Sequence, residues 1–295
     1  MLFPMDPDRW IVYNGELRLA DETLFPAGAR PVLYGDGCFE TFRSYSGSML
    51  HFADHLERMI HGLEYLDINI PKVLQDSKFQ SFVHKLLNEN GRADREAMVR
   101  LQVWREGGRG YRPEEDARTG YVLTCGQLPQ KTSDLTLATV STRRIPEASL
   151  ASRFKLSGGT NYIRAATEAA DMGADDALML TTDGMVSETT IANVFWLKGN
   201  SVSTPSEHCD LLPGITRGIV LKLLRRMGDL QVKEGAFGLE ELQEADAAWV
   251  CNSLREIQPV SRLDDVSYDM AHPIHRRLDE AFDAYVERNL EPLQR

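Results

Sequence analysis

The chain has 295 residues, of which 42% are hydrophobic and 26% are charged, a composition typical of globular proteins. Its formal net charge of -11 argues against a nucleic-acid-binding surface, and no apolar run is long enough to span a membrane. The four cysteines, Cys38, Cys125, Cys209 and Cys251, lack metal-ligand spacing, so no metal is expected. Reduced thiols and the absence of a basic-then-apolar leader over residues 1–8 favour a cytoplasmic location.

The predicted elements alternate between strands and helices along the chain, which favours a mixed α/β fold. Strands are predicted over residues 10–13, 39–45, 49–52, 97–104, 121–125, 135–141, 177–181, 193–197, 201–203 and 247–251. Helices are predicted over residues 53–66, 73–89, 161–172, 216–227 and 272–290. The polar segment 127–134 predicts a linker between an N-terminal domain over 1–126 and a C-terminal domain over 135–295.

Two local patterns in the first half carry more detail. Asp54 is expected to cap the helix over 53–66, with Glu57 three residues later as its capping-box partner. Alternation along the strand over 97–104 places Arg100 and Gln102 on one face and apolar residues on the other. Arg100 is therefore expected to be either buried or directed at a site.

A lysine, a carboxylate and a helix start follow one another in the second half. Lys155 has apolar neighbours, and the small residues 157–159 after it leave room for a ring. Glu188 lies beside apolar residues, and a buried carboxylate requires a cationic partner. The amides of Ile215 and Thr216 open a helix and can bind phosphate. An amine, a carboxylate and an anion-binding helix start are what a pyridoxal phosphate site needs.

Each of these features also has an ordinary interpretation. Taken alone, Lys155 is a surface lysine beside a flexible loop, Glu188 is a solvated carboxylate, and the helix over 216–227 is simply capped. Their order in one chain favours the cofactor site. Arg58, on the polar side of its helix, is either a solvated helix charge or a bidentate phosphate ligand.

Several segments closely resemble the motifs of the class IV (fold type IV) pyridoxal-phosphate-dependent aminotransferase family. The resemblance extends from about residue 13 to residue 260, and its motifs are YGDGCFETFR at 34–43, HLER at 55–58, SE at 187–188, NVF at 193–195 and LPGITR at 212–217. It implies a two-domain fold, with a small N-terminal α/β domain and a larger C-terminal α/β domain built on a pseudo-barrel. It also implies a homodimer that acts on a small-molecule amino substrate, with no nucleic acid and no membrane.

The resemblance assigns roles to individual residues. Lys155 is the Schiff-base lysine and Glu188 binds the pyridine nitrogen. The phosphate ligands that it implies are Arg58, Ile215, Thr216 and Ser253. The substrate-binding candidates are Tyr34, Phe39, Arg43, Arg100, Arg109 and Leu254. Arg100 and Arg109 are candidates for substrate carboxylates, because guanidinium groups bind carboxylates in a fork.

Within the family, the motifs look most like those of aminodeoxychorismate lyases, next to branched-chain and D-amino-acid aminotransferases. A lyase would release pyruvate from 4-amino-4-deoxychorismate and leave 4-aminobenzoate, whereas an aminotransferase would exchange an amino group at the same site. Gly158 departs from the lyase pattern, which commonly has Asn there, and Gly159-Thr160 departs as well. A non-catalytic binding protein on the same fold is a third hypothesis, and the intact Lys155 argues against it.

Overall fold

The computed structural model describes residues 8–23, 28–76 and 78–294, and the chain forms two compact units. The N-terminal unit contains the described residues up to Pro129, the segment Phe154–Gly159 and the tail from Asn289. The C-terminal unit contains Gln130–Arg153 and Thr160–Arg288. The segments 154–159 and 289–294, which the sequence analysis grouped with the C-terminal domain, thus pack within the N-terminal unit.

The described residues contain sixteen strands and seven α-helices. The strands are β1 (Trp10–Tyr13), β2 (Glu16–Leu19), β3 (Gly37–Tyr45), β4 (Ser48–Leu50), β5 (Ala97–Arg105), β6 (Thr119–Gly126), β7 (Leu135–Thr139), β8 (Asp176–Leu180), β9 (Val186–Thr189), β10 (Asn193–Lys198), β11 (Ser201–Pro205), β12 (Gln231–Gly235), β13 (Ala247–Asn252), β14 (Glu256–Leu263), β15 (Val266–Ser267) and β16 (Leu290–Pro292). The helices are α1 (Arg30–Tyr34), α2 (Phe52–Tyr65), α3 (Lys78–Glu89), α4 (Thr160–Asp171), α5 (Ile215–Arg226), α6 (Leu239–Gln243) and α7 (Pro273–Asn289).

The N-terminal unit is built on a sheet with the strand order β16-β4-β3-β5-β6-β1-β2. β3 and β5 are antiparallel neighbours, and Phe39 lies opposite Gln102 while Thr41 lies opposite Arg100. One face of the sheet packs with α2 and α3 in a core that includes the fully buried Val99 and Leu101. The alternation predicted for β5 is therefore confirmed, and Phe39, Arg100 and Gln102 share the opposite face.

Two details of the predicted helices in this unit were wrong. The N-cap of α2 is His51, which has a left-handed φ of 51°, and Asp54 lies in the first turn, where its carboxylate bonds the His51 ring. The predicted helix over 73–89 is divided into a 3-10 turn at Lys72–Gln75 and α3. The break follows from Asp76, which is extended and whose side chain accepts the Lys78 amide, an alternative to helical bonding. Ser77, within the predicted helix, lies outside the described residues.

The C-terminal unit is built on a sheet that closes into a barrel. Its strand order is β12-β11-β10-β13-β14-β7-β8-β9, with β15 on β14, and β9 pairs back to β10 through Glu188 and Asn193. The closed ring consists of β10, β13, β14, β7, β8 and β9. The predicted pseudo-barrel is therefore present, and the barrel closure brings the neighbouring motifs of Glu188 and Asn193 into direct register.

The four cysteines are buried free thiols. Burial raises the pKa of Cys38, Cys125 and Cys251 to about 12, so these thiols stay protonated near neutral pH. Among the described residues, no group of three or more His, Cys, Asp or Glu side chains is arranged to bind a metal ion. The helices that the structure describes include none with the length and apolar character needed to cross a bilayer.

Candidate active site

Lys155 lies in a short segment that pairs with the first residues of β3. The Phe39 amide donates to the Lys155 carbonyl at 3.0 Å, and the Ser157 amide donates to the Gly37 carbonyl at 2.9 Å. The two bonds form an antiparallel bridge between Cys38 and Leu156. Because both sides of the bridge are bonded, the backbone from which the Lys155 side chain extends is fixed in position.

Two cationic side chains lie over the aromatic ring of Phe39. Lys155 Nζ lies 4.6 Å from the ring centroid, and the guanidinium carbon of Arg100 lies 3.9 Å from it. Arg100 Nη2 also donates to Gln102 Oε1 at 3.1 Å. Burial lowers the pKa of Arg100 to about 10, although the negative charge of Glu40 partly offsets the effect of burial. A partly buried cation that hydrogen-bonds an amide, packs on an aromatic ring and forms no ion pair with a described acidic side chain suits an anionic ligand.

The predicted phosphate ligand Arg58 belongs to a buried cluster with Glu40 and His55. Arg58 Nε and Nη2 donate to the two oxygens of Glu40 at 2.7 and 2.9 Å, and His55 Nδ1 lies 2.8 Å from Glu40 Oε2. Burial alone would raise the pKa of Glu40, but Arg58 and His55 outweigh it and lower that pKa to about 2. Burial lowers the pKa of His55, so His55 is neutral at pH 7 and donates Nδ1–H. Glu40 therefore fixes the guanidinium plane of Arg58.

Tyr34 and the loop that contains Arg109 lie against each other. The Gly110 amide donates to the Tyr34 hydroxyl at 2.9 Å, and Arg30 Nη1 donates to the Gly108 and Gly110 carbonyls at 2.9 and 2.8 Å. Arg109 itself is exposed. Arg30 thus acts as a clamp between α1 and this loop, a role that the sequence analysis did not assign.

Arg43 lies on the same strand as Phe39, four residues further along β3. Its Nη2 donates to Glu96 at 2.7 Å, and its guanidinium lies 4.9 Å from the centroid of the Tyr45 ring. The charge of Arg43 is therefore matched within the protein. Of the two strand arginines, Arg100 is the one whose charge is available for a ligand.

Glu188 in the C-terminal unit is held by several polar groups of the protein. The Tyr162 hydroxyl donates to Oε1 at 3.0 Å, and Arg144 forms an ion pair with the same oxygen at 3.1 Å while its Nε donates to the Asp210 carbonyl. The Leu212 amide and Asn193 Nδ2 donate to Oε2 at 3.1 and 3.4 Å. Glu188 is only 4% exposed, so these donors replace the water that the carboxylate would otherwise bind. Burial and the negative charge of Glu188 raise the pKa of Tyr162, which keeps its hydroxyl protonated as a donor.

Asn193 connects Glu188 to the start of α5. Its Nδ2 also donates to the Leu212 carbonyl at 2.9 Å. A Cβ at Gly214 would lie 2.3 Å from Asn193 Oδ1, so only glycine permits this approach. The sequence analysis missed Arg144, Tyr162 and Asn193 as members of the site. The NVF motif pointed to Asn193, whereas Arg144 had no comparable signal.

The start of α5 offers amide donors with no side chain in competition. Gly214 is the N-cap and makes no side-chain capping bond, and the first turn contains no acidic residue. Thr216 is buried in this turn. The first amides of a helix have no intrahelical acceptor, so Ile215 and Thr216 can bind an anion. These donors fit a phosphate group.

Ser253 and Leu254 occupy the turn between β13 and β14. Asn252 Oδ1 accepts the Leu254 and Arg255 amides at 3.0 and 2.8 Å, which fixes the turn around Ser253. The predicted cofactor residues are divided between the two units. The amine of Lys155 and the guanidinium of Arg58 belong to the N-terminal unit, and the carboxylate and the helix start belong to the C-terminal unit.

Comparisons with known proteins identify the family of the chain. The amino-transferase class IV family model matches residues 37–263. An aminodeoxychorismate lyase from Bacillus subtilis (strain 168) is 33% identical over 262 residues, which cover 88% of this chain and 88% of that protein. A putative branched-chain-amino-acid aminotransferase from Methanocaldococcus jannaschii is 31% identical over 256 residues, which cover 85% of this chain and 87% of that protein.

The solved structures that resemble the chain show its fold. A branched-chain aminotransferase from Thermoproteus uzoniensis, crystallised with norvaline, has a TM-score of 0.88 at 22% identity over 97% of this chain and all of its own. The branched-chain amino acid aminotransferase of Escherichia coli has a TM-score of 0.87 at 21% identity over 94% of both chains. The predicted fold type IV architecture is thereby confirmed. The chain belongs to the class IV aminotransferase family, whose members are pyridoxal-phosphate-dependent enzymes.

Proposed function

We propose that the protein is a 4-amino-4-deoxychorismate lyase that converts its substrate into 4-aminobenzoate and pyruvate. The observation that carries this proposal is Arg100, a partly buried cation that forms no ion pair with a described acidic side chain and that lies with Lys155 on the Phe39 ring. The substrate carries a carboxylate on its ring and a second one on its enolpyruvyl group. The relative named as an aminodeoxychorismate lyase, at 33% identity, supports the same choice.

The chain's own residues would hold the cofactor as the family resemblance implies. Lys155 would bind it covalently, Glu188 would face the pyridine nitrogen, and Arg58, Ile215, Thr216 and Ser253 would bind the phosphate. Arg144 and Tyr162 would keep the Glu188 carboxylate in one orientation. When bound, pyridoxal phosphate supplies an electron sink next to the amine-bearing carbon of the substrate.

Lys155 would then perform the proton transfers. Its Nζ takes the proton from the ring carbon that carries the amine, and the C–O bond to the enolpyruvyl group breaks as the ring becomes aromatic. The protonated Nζ can return its proton to the methylene carbon of the departing group, which leaves as pyruvate. Arg100 would hold one substrate carboxylate throughout, and Arg109 is the proposed partner of the second.

The alternative is an amino-acid aminotransferase at the same site, acting on a branched-chain or D-amino acid. The putative branched-chain aminotransferase at 31% identity supports it. In that reaction Lys155 would take a proton from the α-carbon of the amino acid, and pyridoxal phosphate, when bound, would supply the electron sink that lets the amino acid leave as a keto acid. Arg100 would then bind a carboxylate of the amino acid.

The test is based on products. The purified protein with pyridoxal phosphate is supplied with 4-amino-4-deoxychorismate, and pyruvate and 4-aminobenzoate are measured by chromatography. We expect both in equal amounts. In parallel, L-leucine, L-glutamate and D-alanine are supplied with a keto-acid acceptor. Keto acid from one of these donors, without either lyase product, would overturn the lyase proposal in favour of the aminotransferase.

We also propose that the enzyme is a homodimer in the cytoplasm, as the family resemblance and the cysteine pattern imply. Light scattering coupled to gel filtration should give twice the mass of the chain. A monomer with full activity would contradict the dimer.

A further inference from the structure

The side chain of Gln102 lies between Arg100 and the segment that carries Lys155. Its Oε1 accepts from Arg100 Nη2 at 3.1 Å, and its Nε2 donates to Ser157 Oγ at 2.5 Å. Both ends of the amide are therefore used, and the amide can adopt only the orientation in which oxygen faces the guanidinium. All of these contacts lie within the N-terminal unit.

Ser157 is the residue through which Gln102 reaches the lysine. The Ser157 amide donates to the Gly37 carbonyl in the bridge that also holds the Lys155 carbonyl. The bridge fixes Ser157, Ser157 fixes Gln102, and Gln102 fixes one edge of the Arg100 guanidinium. The two cations on Phe39 are thus joined by one continuous series of bonds.

We propose that Gln102 is a positioning residue that orients Arg100 toward a substrate carboxylate and, because it is neutral, holds the guanidinium without forming an ion pair with it. This inference rests on the proposed function, since it requires a carboxylate substrate at this site. It adds a specificity residue that neither the motifs nor the named relatives point to.

Because Gln102 is uncharged, variants at this position can distinguish a role in orienting Arg100 from a role in packing alone. A glutamate at 102 has nearly the same shape and keeps both contacts, because Arg100 can donate to it and the Ser157 hydroxyl can donate instead of accept. It would, however, give Arg100 an internal counter-ion. A methionine at 102 keeps the volume, removes both hydrogen bonds and, like glutamine, adds no negative charge beside Arg100.

The experiment measures equilibrium binding of glutarate, a non-reacting dicarboxylate, to the protein loaded with pyridoxal phosphate, by calorimetry. We expect Gln102→Glu to weaken binding by about 10- to 100-fold, because the ligand carboxylate loses its charge-assisted bonds. Gln102→Met should weaken it by about 3- to 10-fold, because the guanidinium is no longer oriented. Gln127→Met, an exposed glutamine in the same unit, is the matched control and should bind as the parent does.

A double variant with both Gln102→Glu and Arg100→Met distinguishes the proposed charge effect from a general folding defect. Arg100→Met should abolish the effect of Gln102→Glu, because the glutamate then has no cation to neutralise. In steady-state kinetics Gln102→Glu should raise KM far more than it lowers kcat. Three outcomes would each overturn the inference. Gln102→Glu could leave glutarate binding unchanged, or it could weaken glutarate binding equally in the parent and in the Arg100→Met variant. The parent protein could also fail to bind glutarate.

The proposed function fails in a different way. Borohydride reduction followed by mass measurement reports whether Lys155 carries the cofactor, and product analysis reports the reaction, and neither depends on Gln102. A covalently loaded enzyme with lyase products and unchanged binding in Gln102→Glu would retain the proposed function and remove only the role of Gln102.

Discussion

The charged side chains of Glu188, in the C-terminal unit, and Arg100, in the N-terminal unit, differ in how many polar groups of the protein contact them. Glu188 is oriented by Tyr162, Arg144, Asn193 and the Leu212 amide, all of which belong to the protein itself. Arg100 hydrogen-bonds one amide, packs on an aromatic ring and forms no ion pair with a described acidic side chain. A group that must hold a resident cofactor gains from a fixed orientation, whereas a group that must bind and release substrate gains from an unmatched charge. This contrast supports the roles proposed for Glu188, toward the cofactor, and for Arg100, toward the substrate.

Replacement of Lys155 tests the N-terminal side of this comparison and should have the largest effect. Lys155→Ala removes both the covalent attachment and the proton-transfer group, so turnover should fall by at least about 1,000-fold. The absorbance of the covalently held cofactor should disappear. Lys198→Ala, at an exposed lysine, should keep both properties. Lasting activity in Lys155→Ala would remove Lys155 from the mechanism.

Replacement of Glu188 tests the C-terminal side. Glu188→Gln keeps the shape but removes the negative charge, so kcat should fall by about 100-fold or more while the cofactor remains covalently bound. The exposed Glu207 provides the matched variant, Glu207→Gln, which should turn over normally. If kcat in Glu188→Gln stayed within about twofold of the parent, the carboxylate would have a purely structural role.

Glu40 is the counterpart of Glu188 in the N-terminal unit, and its effect should appear as stability. Its pKa is lowered from 4.5 to about 2, so its stabilisation is complete above pH 4.5 and is lost as pH falls toward 2. Glu40→Gln should reduce the free energy of unfolding by about 3 kcal/mol at pH 7, and the deficit should shrink below pH 4.5.

Denaturant unfolding at pH 7 and pH 3 measures this difference. Glu16→Gln, at an exposed carboxylate of the same unit, should show little deficit at either pH. A deficit in Glu40→Gln that is equal at both values of pH would show that the negative charge of Glu40 does not stabilise the cluster.

The helix start of α5 should give the smallest effect. Thr216→Val removes one hydroxyl and keeps the shape, so the dissociation constant of pyridoxal phosphate should rise by about 10-fold. Thr167→Val, on the exposed face of α4, is the control and should leave it unchanged. Unchanged affinity in Thr216→Val would mean that the Thr216 hydroxyl does not bind the phosphate and that only the helix amides and Arg58 remain as its proposed ligands.

The sequence predicted the elements and motif residues that depend on short stretches of the chain. β1 was predicted with its observed bounds, and Lys155 and Glu188 were identified from short motifs. β14 was missed because Pro259 and its polar residues hide the strand pattern, and β12 was missed because its half-exposed residues have no apolar period. The contacts of Arg144 and Tyr162 with Glu188 were not predictable, because these residues are distant in sequence and come together only when the Arg144 segment and α4 pack against β8. The roles of the site residues stay predictions.

The N-terminal unit can be completed only late in synthesis, because it includes the segment 154–159 and β16. During synthesis, the ribosome delivers β1 to β6 first, but the segment that carries Lys155 follows only after Arg153 and the edge strand β16 only after Asn289. Until then the first residues of β3 and the edge of β4 present unpaired main-chain groups, which invite pairing with other chains. Premature termination after Pro129 would therefore yield a sheet with open edges and without Lys155, so truncated products should be prone to aggregate.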